Sequence, residues 1–303
     1  MHKFCLLILC FLCSCKHTQE PTRFEGCAMT IPYCIQVGDP LTKKQNERIQ
    51  GIILEIISQI HAVYNNWNPD SEISQLKKLP AYQPFQISEP LAQFLTFVGQ
   101  IVERTEGRFD PTVDPLQHIW KKNLQNGVLP EQSILDSLIQ ATGWDHVHLE
   151  GKTFWKDEAL TSLDLGAVAK GYAVDLMTEA LQAEGFTSLY IEWGGEIRTV
   201  GKHPHHRPWT VGIEGLFPIP LENESIATSG TYIQNWSVDG ISYTHIIDPR
   251  TCRPLQNCPI TSVSVIAPTC AEADALATAL MLFPSPEEAR SWASIQGIRA
   301  FIW

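Results

Sequence analysis

Asp274 and Thr278 stand four residues apart in Thr269-Cys270-Ala271-Glu272-Ala273-Asp274-Ala275-Leu276-Ala277-Thr278, which reads as the opening of a helix. That spacing stacks a carboxylate and a hydroxyl on one helical face. Both are hard oxygen donors suited to Mg²⁺. Joined by one backbone carbonyl, they would leave coordination positions for phosphate oxygens and water. An isolated Asp in this place more often only complements the helix dipole, so the pair needs a third donor. The segment Leu163-Asp164-Leu165-Gly166-Ala167-Val168-Ala169-Lys170-Gly171-Tyr172 offers one. It runs from a short strand into a helix, and its small residues let an anion or a metal approach the backbone, although tight helix packing would ask for the same residues. His245 closes a β-branched run just before Asp248-Pro249, a place where a lone His is more often structural. Ala227-Thr228-Ser229-Gly230 reads as a small polar turn able to face a ligand, and Gly194-Gly195 as another close backbone approach. Neither a P-loop nor a Gly-x-Gly-x-x-Gly fingerprint is present, so ordinary nucleotide folds lose support.

These groups need elements to hold them. Ile49, Ile52, Ile53, Ile56, Ile57, Ile60 and Val63 recur at helical spacing, which predicts an amphipathic helix over Gln45–Tyr64, ending before Asn65-Asn66-Trp67-Asn68-Pro69-Asp70. A second helix is expected over Leu91–Thr105, and others over Ala167–Ala183, Ala271–Leu282 and Pro286–Gln296. Strand-like runs cover Met29–Val37, Val147–Leu149, Ser188–Glu192, Trp209–Glu214, Ser237–Val238, Tyr243–Ile247 and Ser262–Ile266. In the second half Gly, Pro and Asp turns separate the strands more often than helices do. The expected class is therefore α+β with an antiparallel or mixed sheet rather than a doubly wound one.

Composition narrows the function. The 303 residues carry 22 Lys plus Arg against 33 Asp plus Glu, for a formal charge of -11, with no Lys/Arg run longer than two. That balance lacks the footprint of a protein that neutralises many phosphates, so nucleic acid is not an expected partner. With 44% hydrophobic residues the chain can bury a core. At the N-terminus His2 and Lys3 precede an apolar run from Phe4 to Leu12, too short to span a bilayer, followed by Cys13-Ser14-Cys15. Leu12 three positions before Cys15 looks like a bacterial lipobox. It predicts a signal peptide over residues 1–14, lipid on Cys15, a flexible tether over 15–24 and a folded domain over 25–303. Such a protein would be exported, lipid-anchored to a bacterial membrane and periplasm-facing. Cys27, Cys34, Cys252, Cys258 and Cys270 would then meet oxidising conditions, but their spacing settles no pairing. His203, His205 and His206 lie between prolines and read as a solvated turn rather than a metal site.

In chain order, Met29–Tyr33, Trp67–Ser74, Gly107–Val113, Leu163–Tyr172, Gly194–Arg198, His245–Thr251 and Glu272–Thr278 closely resemble the ApbE family, flavin transferases that attach FMN covalently to exported proteins. The likeness spans nearly everything after residue 25. It implies an α+β, T-fold-like architecture with FAD in a cleft and Mg²⁺ at the pyrophosphate. Ala167 would give the metal a carbonyl, and Asp274 and Thr278 their side-chain oxygens. Met29, Trp67, Arg108, Phe109, Asp110, Asp164, Lys170 and Ile247 match FAD contacts. Trp67 stands where the family usually has Tyr, which keeps an aromatic face. Thr30-Ile31 replaces Gly-Thr, Asp114 replaces Gly, Glu192-Trp193 replaces Asn-Leu, and Cys252 replaces a Gly.

The implied reaction is attack by an acceptor Thr or Ser hydroxyl on the FMN-side phosphorus of FAD, with AMP leaving. A base must accept the hydroxyl proton. His245 is the first candidate, with Asp274 second. The acceptors implied are subunits of membrane redox complexes such as the sodium-translocating NADH:quinone reductase. Two rival readings are Mg²⁺-dependent hydrolysis of FAD to FMN and AMP, and a lipoprotein that binds FAD without chemistry.

Overall fold

A computed structural model describes residues 20–213, 218–232 and 234–303. The expected signal peptide and Cys15 lie outside the described residues. In chain order the elements are β1 (Thr22–Ala28), β2 (Ile31–Val37), α1 (Lys43–Val63), α2 (Glu72–Lys77), β3 (Phe85–Gln86), α3 (Glu89–Arg104), α4 (Asp114–Gln125), α5 (Gln132–Ile139), β4 (Val147–Glu150), β5 (Thr153–Lys156) and α6 (Ala169–Ala183). There follow β6 (Leu189–Trp193), β7 (Glu196–Val200), β8 (Trp209–Val211), β9 (Ile219–Leu221), β10 (Ser225–Gly230), β11 (Asn235–Val238), β12 (Ile241–Asp248), β13 (Arg253–Gln256), β14 (Ser262–Ala267), α7 (Cys270–Leu280), α8 (Pro286–Ile295) and β15 (Arg299–Ile302).

The main sheet has the order β1-β2-β6-β7-β10-β14-β15, and every strand pairing among the described residues is antiparallel. The α+β class is therefore correct and the mixed-sheet option falls away. Helices α6 and α7 lie side by side against this sheet, α6 on β6 and β7 and α7 on β10 and β14. Their apolar faces join α1 and α3 in the largest core, where Leu91, Phe94, Leu95 and Val98 of α3 are buried. Each such side chain contributes about 1.5–3 kcal/mol relative to exposure. Helices α4 and α5 cover the small β11-β12-β13 sheet through a separate cluster containing Leu116, Trp120, Tyr243 and Ile247.

Local chemistry explains most element ends. Thr42 and Gln45 form a capping box on α1, and Ser88 caps α3 with Pro90 in its first turn. The Met29–Val37 run is cut by a two-residue hairpin at Met29 and Thr30, with β2 beginning at Ile31. Both turn residues hold positive φ, at 50° and 66°, as such a hairpin requires even without the glycine usual there. Strand β1 begins at Thr22, so the expected tether gives up its last three residues to the fold. Ala227–Gly230 is the end of strand β10 and not a turn. Cys252 keeps the left-handed backbone expected of a glycine, at φ 57°, and its carbonyl accepts the Trp120 indole N–H at 3.1 Å. Cys27, Cys34, Cys252, Cys258 and Cys270 are all free thiols, with no disulfide among them. His203, His205 and His206 fall in the loop between β7 and β8, where His203 is buried edge-on against Trp209.

Candidate active site at the meeting of two helix N-termini

The first turns of α6 and α7 touch. Any Cβ at Gly171 would lie 2.3 Å from the Cys270 carbonyl oxygen, so only glycine permits the approach. Asp175, one turn further along α6, accepts the backbone N–H groups of Cys270 and Ala271 at 2.9 and 2.8 Å and is itself paired with Arg198 of β7 at 2.7 Å. Thr269 caps α7 conventionally, through the N–H of Glu272. Glu272 in turn pairs with Arg104 at the end of α3. Helices α3 and α6 and strand β7 thus fix the start of α7, and the positive ends of two helix dipoles converge there.

Asp274 is held inside this junction. Its Oδ2 accepts the N–H of Gly171 at 3.2 Å. In a helix begun earlier that N–H would donate to the carbonyl four residues back, which is Ala167. Among the described residues no hydrogen bond reaches the Ala167 carbonyl oxygen. Thr278, one turn after Asp274, is partly exposed and shares a 2.9 Å hydrogen bond with Ser229 of β10. The Ala167 carbonyl and the Asp274 carboxylate therefore stand at the junction of α6 and α7, with the Thr278 hydroxyl one turn further along the same face of α7. This all-oxygen set fits Mg²⁺ and suits no soft metal. Among the described residues no three His, Cys, Asp or Glu side chains form a cage of their own.

Charge at the junction is unbalanced. Lys170 contacts Glu196 directly and stands 3.7 Å from Asp274. Burial raises the Asp274 carboxyl against the pull of Lys170, and burial together with repulsion from Asp274 raises Glu196. Lys170 stays above its ordinary value because the two carboxylates outweigh its own burial. Two buried acids share one ammonium, an arrangement that a divalent cation would relieve. Asp175 has no signal in the sequence, Glu196 appears there only inside the Gly194–Arg198 motif without a role of its own, and Ser229 only as part of the polar segment Ala227–Gly230. The one available signal for Glu196 was an acid opening an otherwise apolar strand directly after two glycines.

A cleft of about 120 Å³ has walls that include Trp67, Lys77, His118 and Asp164, the last only three residues before Ala167 in the chain. Trp67 is 82% exposed at its rim, and among the described residues no aromatic ring packs on it. Asp164 is fixed in the cleft wall: its N–H donates to the Pro111 carbonyl at 2.7 Å, and its carboxylate accepts the Gly166 N–H at 2.8 Å. The Asp114 carboxylate, standing where a glycine was expected, is buried and binds Lys77 at 2.8 Å and the Ser162 hydroxyl.

His245 sits mid-way along β12, which runs on to Asp248 rather than ending at the histidine. Its Nδ1 is 3.2 Å from the Gln234 carbonyl. A carbonyl can only accept, so Nδ1 carries the proton and Nε2 keeps its lone pair. Burial lowers the His245 pKa below 6.5, with the Gln234 carbonyl and the Asp164 carboxylate opposing.

Other expected contacts are occupied within the protein. Phe109 is buried in the main core and Ile247 in the cluster under α4. Both carboxylate oxygens of Asp110 are satisfied, one by Thr112 and the other by the Trp144 N–H at 3.0 Å. Arg108 lies over the Phe283 ring at 4.4 Å. Met29 is partly buried in the β1–β2 turn. The structure thus groups Ala167, Lys170, Asp274 and Thr278, sets Trp67 and Asp164 at the neighbouring cleft, and gives Phe109, Asp110 and Ile247 structural side-chain roles.

Residues 28–302 match the model of the ApbE family. A Chlamydia pneumoniae protein named FAD:protein FMN transferase is 42% identical over 99% of this chain and 96% of its own length. The crystal structure of Pseudomonas stutzeri flavinyl transferase ApbE in its apo form superposes with a TM-score of 0.84 at 28% identity, covering 93% of this chain and 90% of that one. The flavin transferase ApbE of Vibrio cholerae superposes at 0.80 with 30% identity, covering 93% of both.

Proposed function

Since the chain belongs to the ApbE family, we propose that it moves the FMN moiety of FAD onto a Thr or Ser hydroxyl of an acceptor protein and releases AMP. The observation that carries this reading is the oxygen set of the Ala167 carbonyl and the Asp274 carboxylate at the junction of α6 and α7 and the Thr278 hydroxyl one turn further on. Ala167 lies three residues along the chain from Asp164, in the wall of a cleft rimmed by an exposed Trp67. Mg²⁺ bound there would neutralise the pyrophosphate and the leaving AMP. The chain's own residues supply the rest. The dipoles of α6 and α7 add positive potential at their shared N-terminal junction, although the first N–H groups of α7 are already held by Asp175 and Thr269. Trp67 offers a ring face on which a flavin or adenine can stack. The free Nε2 of His245 accepts the proton of the attacking hydroxyl, while Gln234 holds the ring in the tautomer that can do so.

If water took the place of the acceptor hydroxyl, the same residues would hydrolyse FAD. Incubation of the purified protein with FAD, Mg²⁺ and a candidate acceptor separates the two. An acceptor mass raised by one FMN, dependent on Mg²⁺, is the expected result. AMP formation at the same rate whether or not acceptor is present, with no change in acceptor mass, would reject the transferase reading. The acceptor class that fits is a subunit of a membrane redox complex, reached from a position at the membrane through lipid on Cys15.

A further inference from the structure

Glu196 opens strand β7 immediately after the tight Gly194-Gly195 turn and is only 2% exposed. One carboxylate oxygen meets the Lys170 ammonium, and the other, Oε2, is shut away from solvent with no hydrogen-bond partner among the described residues. The glycine turn is shaped around this side chain: a Cβ at Gly194 would stand 3.3 Å from Oε2 and 2.7 Å from the Ile31 side chain, at φ 68°. Burying a carboxylate with half its acceptors idle is costly, so Glu196 is a poor device for stability alone.

Its effect on Lys170 is specific. Lys170 lies between two acids, yet it touches Glu196 and stays 3.7 Å from Asp274, beyond hydrogen-bond distance. An ammonium seated on Asp274 would occupy the oxygen a cation needs and cancel its charge. We propose that Glu196 is a positioning residue for the cation site: it holds the Lys170 ammonium off Asp274, so that the Asp274 carboxylate remains an open ligand for a divalent metal ion. This rests on the reading of Asp274 as a metal ligand, and Glu196 itself need not touch the metal.

Mn²⁺ titrated into the purified full chain, with free Mn²⁺ counted by electron paramagnetic resonance and Mg²⁺ as competitor, tests both layers without an activity assay. Wild type should bind, and Asp274→Ala should not; absence of binding by wild type, or full binding by Asp274→Ala, overturns the metal reading and the role of Glu196 with it. Given that reading, Glu196→Gln should weaken Mn²⁺ by about 10- to 100-fold, as loss of outer partners of metal ligands typically does. Glu196→Asp keeps the charge but is one methylene shorter and releases Lys170, so it should weaken binding similarly. Adding Lys170→Met to Glu196→Gln should restore affinity, because no ammonium then competes for Asp274. Wild-type affinity in Glu196→Gln or in Glu196→Asp overturns the positioning role, the latter by showing that only net charge matters. Failure of Lys170→Met to restore binding overturns it as well.

Discussion

His245 carries its ring proton on Nδ1 against a main-chain carbonyl, so its chemistry is that of the free lone pair on Nε2. Its pKa is lowered from 6.5 by burial, and a neutral imidazole is the form that accepts a proton. The rate of FMN transfer should therefore fall on the acid side with an apparent pKa below 6.5, and that limb should vanish in His245→Ala along with about 10²- to 10⁴-fold of single-turnover rate at saturating FAD. An unchanged rate, or an acid limb that survives the substitution, removes His245 as the base. The same lowered pKa ties His245 to stability. The unfolded chain takes up its proton near 6.5 and the folded chain only at lower pH, so this residue's contribution is lost as pH falls through that interval. Asp274→Ala should abolish Mg²⁺-dependent transfer while far-ultraviolet circular dichroism stays unchanged, because α7 is anchored by Asp175 and Thr269 rather than by Asp274. Thr278→Ala should lose less, since water can replace a hydroxyl ligand and Ser229 remains beside it. Equal losses in the two variants would contradict that ranking.

Lys156 shows how elements are tied around the cleft. It lies in β5, is 1% exposed, and donates to the carbonyls of Lys77 at the end of α2 and of Ala159 and Thr161 at 3.2, 2.9 and 2.7 Å. Thr161 leads into Leu163-Asp164-Leu165, the approach to α6, and both this segment and α2 contribute walls of the cleft. One ammonium therefore joins both walls. Lys156→Met keeps most of the volume but strands three carbonyls, and unsatisfied buried groups cost about 1–3 kcal/mol each before water relieves some of them. A loss of about 3 kcal/mol in urea unfolding is expected, together with weaker FAD binding in the folded fraction. Wild-type stability and wild-type FAD affinity together would show that the walls hold their spacing without the clasp.

At the scale of the whole molecule, the seven-stranded sheet, the helices and their cores form the catalytic body, and none of the described helices is long and apolar enough to cross a membrane. We propose that lipid on Cys15, ahead of the strand that begins at Thr22, holds the protein at the membrane. Cys15→Ser should move the protein from the membrane to the soluble fraction of cells while leaving Mg²⁺-dependent transfer to a soluble acceptor fragment unchanged. Continued membrane association of that variant, with the same detergent partitioning as wild type, would mean that something other than this lipid holds it.

The amphipathic periodicity of α1 and α3, the α+β class and the oxygen donors of α7 were readable along the chain because each depends on residues within a few turns of one another. The order of motifs pointed to the family for a related reason: each motif is local, and only their succession is long-range. Helices α4 and α5 were missed. Their apolar positions face a small separate sheet, and Pro115 near the start of α4 looks like a breaker until the fold places it in the first turn, where proline is tolerated. Ala227–Gly230 looked like a turn because small polar residues favour turns in isolation, whereas pairing with β14 along its whole length makes it a strand. Phe109, Asp110 and Ile247 kept their motif positions but spend their side chains on packing and internal hydrogen bonds, which only burial can reveal. Glu196 and Asp175 could not be found by spacing at all. Their partners, Lys170 for one and the start of α7 for the other, lie 26 and 95 residues away, and sheet pairing together with helix docking decides that these groups meet.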